Sequence, residues 1–123
     1  MNPEFHLSIG VRSVETSVDF FVGVMGGAVL HRDPSGYVNL DLYGSQITLK
    51  QNESVSPDLP DLHFGINLGL TEFDALAMKI LESGYDHIVM KPKVVDAGTS
   101  MERKKMYLKC PTGYLIELKG YKR

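Results

Sequence analysis

The chain has 123 residues and a mass of 13.7 kDa, which is the size of one domain and enough to bury a hydrophobic core without disulfides. Its 43% hydrophobic and 23% charged residues are typical of a globular protein. The net charge of −2 argues against a nucleic-acid-binding protein that relies on a basic surface, and the single cysteine, Cys110, excludes an internal disulfide framework. No apolar run is long enough to span a membrane, and the N-terminus lacks a signal-peptide pattern, so we predict a cytoplasmic protein with no membrane partner.

The sequence contains an internal repeat. Residues 5–11 and 62–68 are short apolar segments with a histidine in second place, and a glycine follows each histidine 21 residues later. Residues 44–50 and 113–119 share Gly, Ile, Leu and Lys at the same spacing. Two matches in the same order predict a duplicated architecture.

Each half is predicted to fold as a β-α-β-β-β module. Apolar residues at helical spacing predict one helix per half, from an N-cap at Ser13 to Gly26 and from an N-cap at Thr71 to Gly84, with Asp74 resembling the acidic member of a capping box. Short apolar segments between polar or glycine residues predict the strands, at 4–11, 28–33, 36–43, 45–51, 62–69, 85–91, 103–109 and 113–120. We therefore predict a single α+β domain over residues 1–123, with module one at 1–52, a linker at 53–61 and module two at 62–123.

Four matched positions of the repeat indicate a metal site. His6 and His63 lie on the first strands of the two halves, and Thr48 and Glu117 lie on the last strands. An ionised glutamate in an otherwise apolar strand needs a partner when it is buried. Two imidazoles and one carboxylate form a facial triad that binds a divalent metal and leaves positions open for water or substrate.

A structural interpretation of the same residues stays open. A single histidine on a strand is usually a packed or half-exposed residue, and Glu117 has Lys50 and Lys119 as alternative ion-pair partners. In that case the three side chains stabilise the fold and hold no ion.

The sequence resembles the vicinal oxygen chelate superfamily, which includes glyoxalase I, bleomycin-resistance proteins and extradiol dioxygenases. His6 and the following helix, with Phe20-Phe21, resemble the opening of the family, and residues 110–117 resemble its closing Asp-Pro-x-Gly-x-x-x-Glu pattern, although Cys110 replaces the Asp. The resemblance implies a glyoxalase-like fold, in which two tandem βαβββ modules form a pseudo-twofold curved sheet around a central cleft. It also implies a homodimer.

The resemblance places the metal-ligating positions of the family on His6, Thr48, His63 and Glu117. A threonine hydroxyl is a poor ligand, so the expected ligands are His6, His63 and Glu117, with Thr48 and Gln46 as additional ligands or as hydrogen-bond partners of the ligands. The implied metal is Fe, Mn, Zn or Ni. The predicted function is a metalloenzyme that binds vicinal oxygens of a small substrate, of lyase, thiol-transferase or dioxygenase type. The alternative is a metal-free small-molecule-binding protein of the bleomycin-resistance type.

Residues 91–109 contain six basic and two acidic side chains, which favours an anionic substrate. We predict Tyr107, Arg103, Lys105 and Ser100 as substrate-binding residues, and residues 94–100 as a mobile lid. An ordinary solvated loop is the alternative interpretation of this basic segment.

Overall fold

A computed structural model describes residues 3–56 and 59–122. The chain divides into two compact units, Met1–Leu59 and Pro60–Arg123. The boundary lies inside the predicted linker at 53–61, of which residues 57 and 58 are outside the described part of the chain.

The first unit is a four-stranded sheet with one helical segment. Its strands have the order β1-β4-β3-β2, with β1 and β4 parallel and the other pairs antiparallel. The pairing of β2 with β3 shifts register between Val29 and His31. In chain order the elements are β1 (His6–Val11), α1 (Val14–Val18), a π-helical segment (Asp19–Val24), β2 (Ala28–Arg32), β3 (Val38–Leu42) and β4 (Ser45–Gln51).

The second unit repeats this plan. Its strands have the equivalent order β5-β8-β7-β6, again with one parallel pair, β5 and β8. The elements are β5 (His63–Gly69), α2 (Leu70–Glu82), β6 (Ile88–Val95), β7 (Arg103–Lys109) and β8 (Leu115–Tyr121). The pairing of β6 with β7 shifts register twice, between residues 88 and 90 and between residues 90 and 93. The identical strand orders confirm the predicted tandem βαβββ modules.

The first helix begins where the sequence predicts and changes character before its predicted end. Ser13 is the N-cap, and its side chain accepts a hydrogen bond from the Thr16 backbone N–H at 3.2 Å. The α-helix ends at Val18, and the chain continues as a π-helix to Val24. The prediction of one α-helix up to Gly26 is therefore wrong over its last two turns.

The predicted N-cap of the second helix is also wrong. The N-cap is Gly69, in an extended conformation, and no side chain caps the helix. Thr71 lies inside the first turn because β5 runs directly into α2 without a loop. Asp74 forms no capping box and instead pairs with Lys104 Nζ at 2.8 Å.

In each unit the helix covers one face of the sheet. On β8 the side chains of Ile116 and Leu118 are fully buried, and a Cβ on Gly120 would lie 2.7 Å from the Phe73 side chain of α2. Residues 117 and 119 therefore point to the opposite face, because successive side chains of a strand alternate. We call this opposite side the helix-free face. Among the described residues, no helix is both long and apolar enough to cross a membrane.

Candidate functional site

The carboxylate of Glu117 is the centre of a polar cluster in the second unit. Glu117 is 6% exposed, and its Oε1 lies 3.3 Å from His63 Nε2 and 3.7 Å from Lys119 Nζ. Tyr107 stands opposite Glu117 on β7. A hydrogen bond with the Glu117 carboxylate, together with burial and the nearby negative charge, raises the pKa of the Tyr107 hydroxyl. The buried carboxylate thus has an imidazole, a phenol and an ammonium group around it.

The position of His63 is set by its strand and by an aromatic contact. Its ring meets the Tyr107 ring edge to face, with centroids 5.9 Å apart. The side chain is half exposed, while that of Glu117 is buried. The pair therefore combines a carboxylate protected from bulk water with an imidazole that solvent or a ligand can reach.

The spacing of His63 and Glu117 fits two ligands of one metal ion. Ligand atoms about 2.1 Å from an ion are roughly 3.0–3.5 Å from each other in tetrahedral or octahedral geometry, and the observed separation is 3.3 Å. Within either unit, the described residues form no group of three or more His, Cys, Asp or Glu side chains that could hold a metal. The second unit thus supplies two candidate ligands. The predicted alternative, an ion pair between Glu117 and Lys119, is present as well.

The backbone beside Glu117 is held unusually close to its neighbour. Gly65 on β5 stands opposite Glu117 in the parallel pairing of β5 and β8. A Cβ at this position would lie 1.7 Å from the Glu117 carbonyl oxygen. Only glycine fits here, so this residue helps to fix the position of the glutamate backbone.

In the first unit the equivalent position is neutral. Thr48 stands opposite Ser8 on β1 and opposite Asn39 on β3, just as Glu117 stands opposite Gly65 and Tyr107. Thr48 is 7% exposed, and its hydroxyl donates a hydrogen bond to Asn39 Oδ1 at 2.7 Å.

The two other predicted residues of this unit are neighbours. His6 on β1 and Gln46 on β4 are opposite one another, and His6 is exposed. Asn39 carries no signal in the sequence, because only the cross-strand register identifies it as the partner of Thr48.

The predicted substrate-binding residues separate into two groups. Lys105 and Tyr107 adjoin the carboxylate, and Lys105 Nζ lies 5.4 Å from the centre of the Tyr107 ring. Arg103 donates to Asp96 Oδ2 at 2.7 Å and to the Met101 carbonyl at 2.9 Å. It therefore holds the turn that follows β6.

The remaining candidate, Ser100, is exposed within that turn. Residues 94 and 95 belong to β6, so the prediction of a lid over residues 94–100 is wrong for its first two positions.

Residues 5–118 match the model of the Glyoxalase/Bleomycin resistance protein/Dioxygenase superfamily. The chain belongs to this superfamily. The match covers the two modules, and it confirms the predicted family. None of the curated proteins is a significant match.

The fold of the chain is similar to that of several solved structures. A glyoxalase/bleomycin resistance protein/dioxygenase from Alicyclobacillus acidocaldarius is 26% identical, with a TM-score of 0.83 over 98% of this chain and 92% of that one. A glyoxalase/dioxygenase from Nostoc punctiforme is 19% identical, with a TM-score of 0.78 over 98% and 92%. TioX from Micromonospora sp. ML1 is 18% identical, with a TM-score of 0.74 over 97% and 98%.

Proposed function

We propose that the protein is a metalloenzyme that binds two vicinal oxygens of a small substrate on a divalent metal held by His6, His63 and Glu117. The observation that carries the proposal is the 3.3 Å separation between His63 Nε2 and Glu117 Oε1, which suits two ligands of one ion. His6 is included because the repeat matches it to His63. Once bound, such an ion acts as a Lewis acid toward oxygens that gain negative charge during the reaction.

The protein's own groups prepare the carboxylate for this role. Tyr107 stands opposite Glu117, and its hydroxyl interacts with the carboxylate strongly enough to raise the pKa of the phenol; groups that contact a metal ligand in this way help to orient it. Lys119 balances its charge when no cation is present. Burial excludes water from the carboxylate and strengthens its attraction for a cation.

Residues of the first unit limit the type of chemistry. Thr48 carries no carboxylate, and its hydroxyl proton is committed to Asn39. This position therefore supplies no general base at neutral pH. The site suits a reaction in which chelation alone activates the substrate, or one in which another residue supplies the base. Proton transfer at position 48 fits the site less well.

Metal analysis of purified variants tests the proposal. We expect about one equivalent of a divalent metal in the wild type, measured by elemental analysis after exchange into metal-free buffer and reloading with Fe(II), Mn(II), Zn(II) or Ni(II). Glu117→Gln, His63→Ala and His6→Ala should each weaken binding by more than about 100-fold, because loss of even a residue that only hydrogen-bonds to a ligand costs about 10–100-fold.

Two exposed histidines provide matched controls. His31 and His87 lie next to Asp33 and Asp86, at 3.4 Å and 3.1 Å, and are not proposed ligands. Their alanine variants should bind metal as the wild type does. Metal-free wild-type protein after reloading, or equal losses in the control variants, would contradict the proposal.

The second candidate is a metal-free small-molecule-binding protein. The observation that favours it is Lys119, which lies beside Glu117 and already balances its charge. Under this alternative Lys119→Met destabilises the metal-free protein and added metals do not restore its stability. Under the metalloenzyme proposal a divalent metal restores it, because the ion replaces the missing positive charge. Thermal unfolding with and without metal distinguishes the two.

A further inference from the structure

We infer that the helix-free face of the second unit binds an anionic group, a carboxylate or a phosphoryl group, on a row of three lysines and an asparagine beside Glu117. The row consists of Lys93, Lys105, Lys119 and Asn67. The inference deepens the proposed function and rests on it for one point only, that the anionic group belongs to the substrate.

The strand register assembles this row from all four strands of the sheet. Lys93 on β6 stands opposite Lys105 on β7, Lys105 stands opposite Lys119 on β8, and Lys119 stands opposite Asn67 on β5. Opposed residues of neighbouring strands project to the same face, about 4.5–5.5 Å apart at their Cβ atoms. The four side chains therefore form a continuous line of hydrogen-bond donors across the sheet.

The arrangement is unfavourable without a bound anion. Like charges directly opposite one another on a sheet destabilise it, and this row contains two such pairs. Among the described residues, no carboxylate lies within 4 Å of the amino group of Lys93 or Lys105. An anion placed between the amino groups turns this repulsion into charge-assisted hydrogen bonds.

Two other cations of β7 are already paired. Lys104, which precedes Lys105 and points to the helix side, lies 2.8 Å from Asp74. Arg103 lies 2.7 Å from Asp96. On β8, Lys119 lies 3.7 Å from Glu117, its one carboxylate neighbour within 4 Å in the described part of the chain, and that carboxylate is the proposed metal ligand. Among the described residues of β7, Lys105 and Lys109 have no carboxylate within 4 Å of their amino groups, and Lys105 is the one that lies in the row.

The row also lies at a useful distance from the proposed metal site. Lys119 is two residues from Glu117 on the same face of β8, which corresponds to about 6–7 Å along a strand. Lys105 is likewise two residues from Tyr107 on β7. A molecule with vicinal oxygens near Glu117 and a negative group one short chain away would span both sites. The structure thus indicates a small anionic substrate.

Titration of metal-stripped protein with two probe anions tests the inference. Inorganic phosphate and malonate, added in the presence of EDTA at low ionic strength, should bind with dissociation constants in the millimolar range, measured by calorimetry or NMR. Lys105→Met and Lys119→Met should each weaken binding by at least about 5-fold, since each removes one charge-assisted contact. Lys104→Met removes the same charge from the other face and should change binding less than about 2-fold.

The outcomes separate the inference from the proposed function. Tighter binding of phosphate indicates a phosphoryl group, and tighter binding of malonate indicates a carboxylate. Anion binding that follows this pattern in a protein that fails the metal test supports the anion site and contradicts the metalloenzyme. No binding of either probe up to about 20 mM, or equal losses in the Lys104 and Lys105 variants, would overturn the inference. Lys105→Met, which breaks no ion pair, keeps the test valid if Lys119→Met fails to fold.

Discussion

Replacement of Gly65 by alanine tests the close contact between β5 and β8. The new Cβ would lie 1.7 Å from the Glu117 carbonyl oxygen and would have to retreat to at least 3.0 Å, a shift of 1.3 Å between backbone atoms. A shift of this size lengthens ladder hydrogen bonds of about 2.9 Å to more than 4 Å, beyond bonding distance. Loss of two or three such bonds, at about 1 kcal/mol each, predicts a decrease of about 2–3 kcal/mol in the free energy of unfolding.

Urea denaturation followed by circular dichroism measures this decrease. The matched control is Gly69→Ala at the end of the same strand, where a Cβ would lie 3.5 Å from Glu72 Oε1, an ordinary contact. Because Gly69 is the N-cap of α2 and alanine is a poorer cap, we expect a loss of less than about 1 kcal/mol there. The reasoning is refuted if Gly65→Ala unfolds at the same urea concentration as the control, or as the wild type.

Three further predictions concern a turn, the cysteine and a helix cap. Hydrogen bonds from the hydroxyl and the backbone N–H of Ser35 lower the pKa of Asp33 from 3.8 to about 2, so Asp33 contributes stability that is present above pH 3.8 and lost as the pH falls through about 2. In Ser35→Ala, an NMR titration should give a pKa closer to 3.8, with a smaller acid-dependent loss. Burial raises the pKa of the Cys110 thiol, so a thiol reagent should modify native protein at least about 100-fold more slowly than unfolded protein. Ser13→Ala removes the cap of α1 and should lower the free energy of unfolding by about 1 kcal/mol, measured by denaturation.

Each of these predictions has a clear contrary result. An unchanged Asp33 titration in Ser35→Ala would mean that the Ser35 hydroxyl does not lower the pKa of Asp33. Equal labelling rates in native and unfolded protein would mean that Cys110 is accessible. A Ser13→Ala variant as stable as the wild type would mean that the exposed hydrogen bond to Thr16 contributes nothing.

The internal repeat predicted the architecture because its two matched segments occur in the same order in each half of the chain. The two matched segments became β1 with β4 and β5 with β8, the parallel pair at the same place in each sheet. The spacing of apolar residues located the helices but did not reveal the π-helical segment. Phe20 and Phe21 are both buried in that segment. A π-helix has about one more residue per turn than an α-helix, which changes the spacing of apolar residues little over so short a segment. The strand predicted at 85–91 differs from β6 (Ile88–Val95), because β6 contains Pro92 and its pairing with β7 shifts register twice.

The candidate site was only partly predictable, because a single sequence does not fix cross-strand register. The repeat pointed to His63 and Glu117, whose side chains lie 3.3 Å apart, while their role as metal ligands, and that of His6, stays a prediction. The lysine row could not be predicted, since Lys105 and Lys119 become neighbours only through the pairing of β7 with β8. The N-cap of α2 was predicted at Thr71 because threonine is a common N-cap residue. A strand that continues directly into a helix has no sequence signal of its own, so the true N-cap could not be located.

The register shifts at β2 and β6 have a consequence for how the protein behaves in crowded solution. Each of these strands terminates its own sheet, where unsatisfied backbone groups can recruit a strand from another molecule and start fibril growth. Such recruitment requires a flat and regular strand edge. The register shifts interrupt the hydrogen-bonded pairing of both strands, and β6 also contains Lys91, Pro92 and Lys93, so neither strand presents that edge. The register shifts thus act as a guard against aggregation at these two sheet edges.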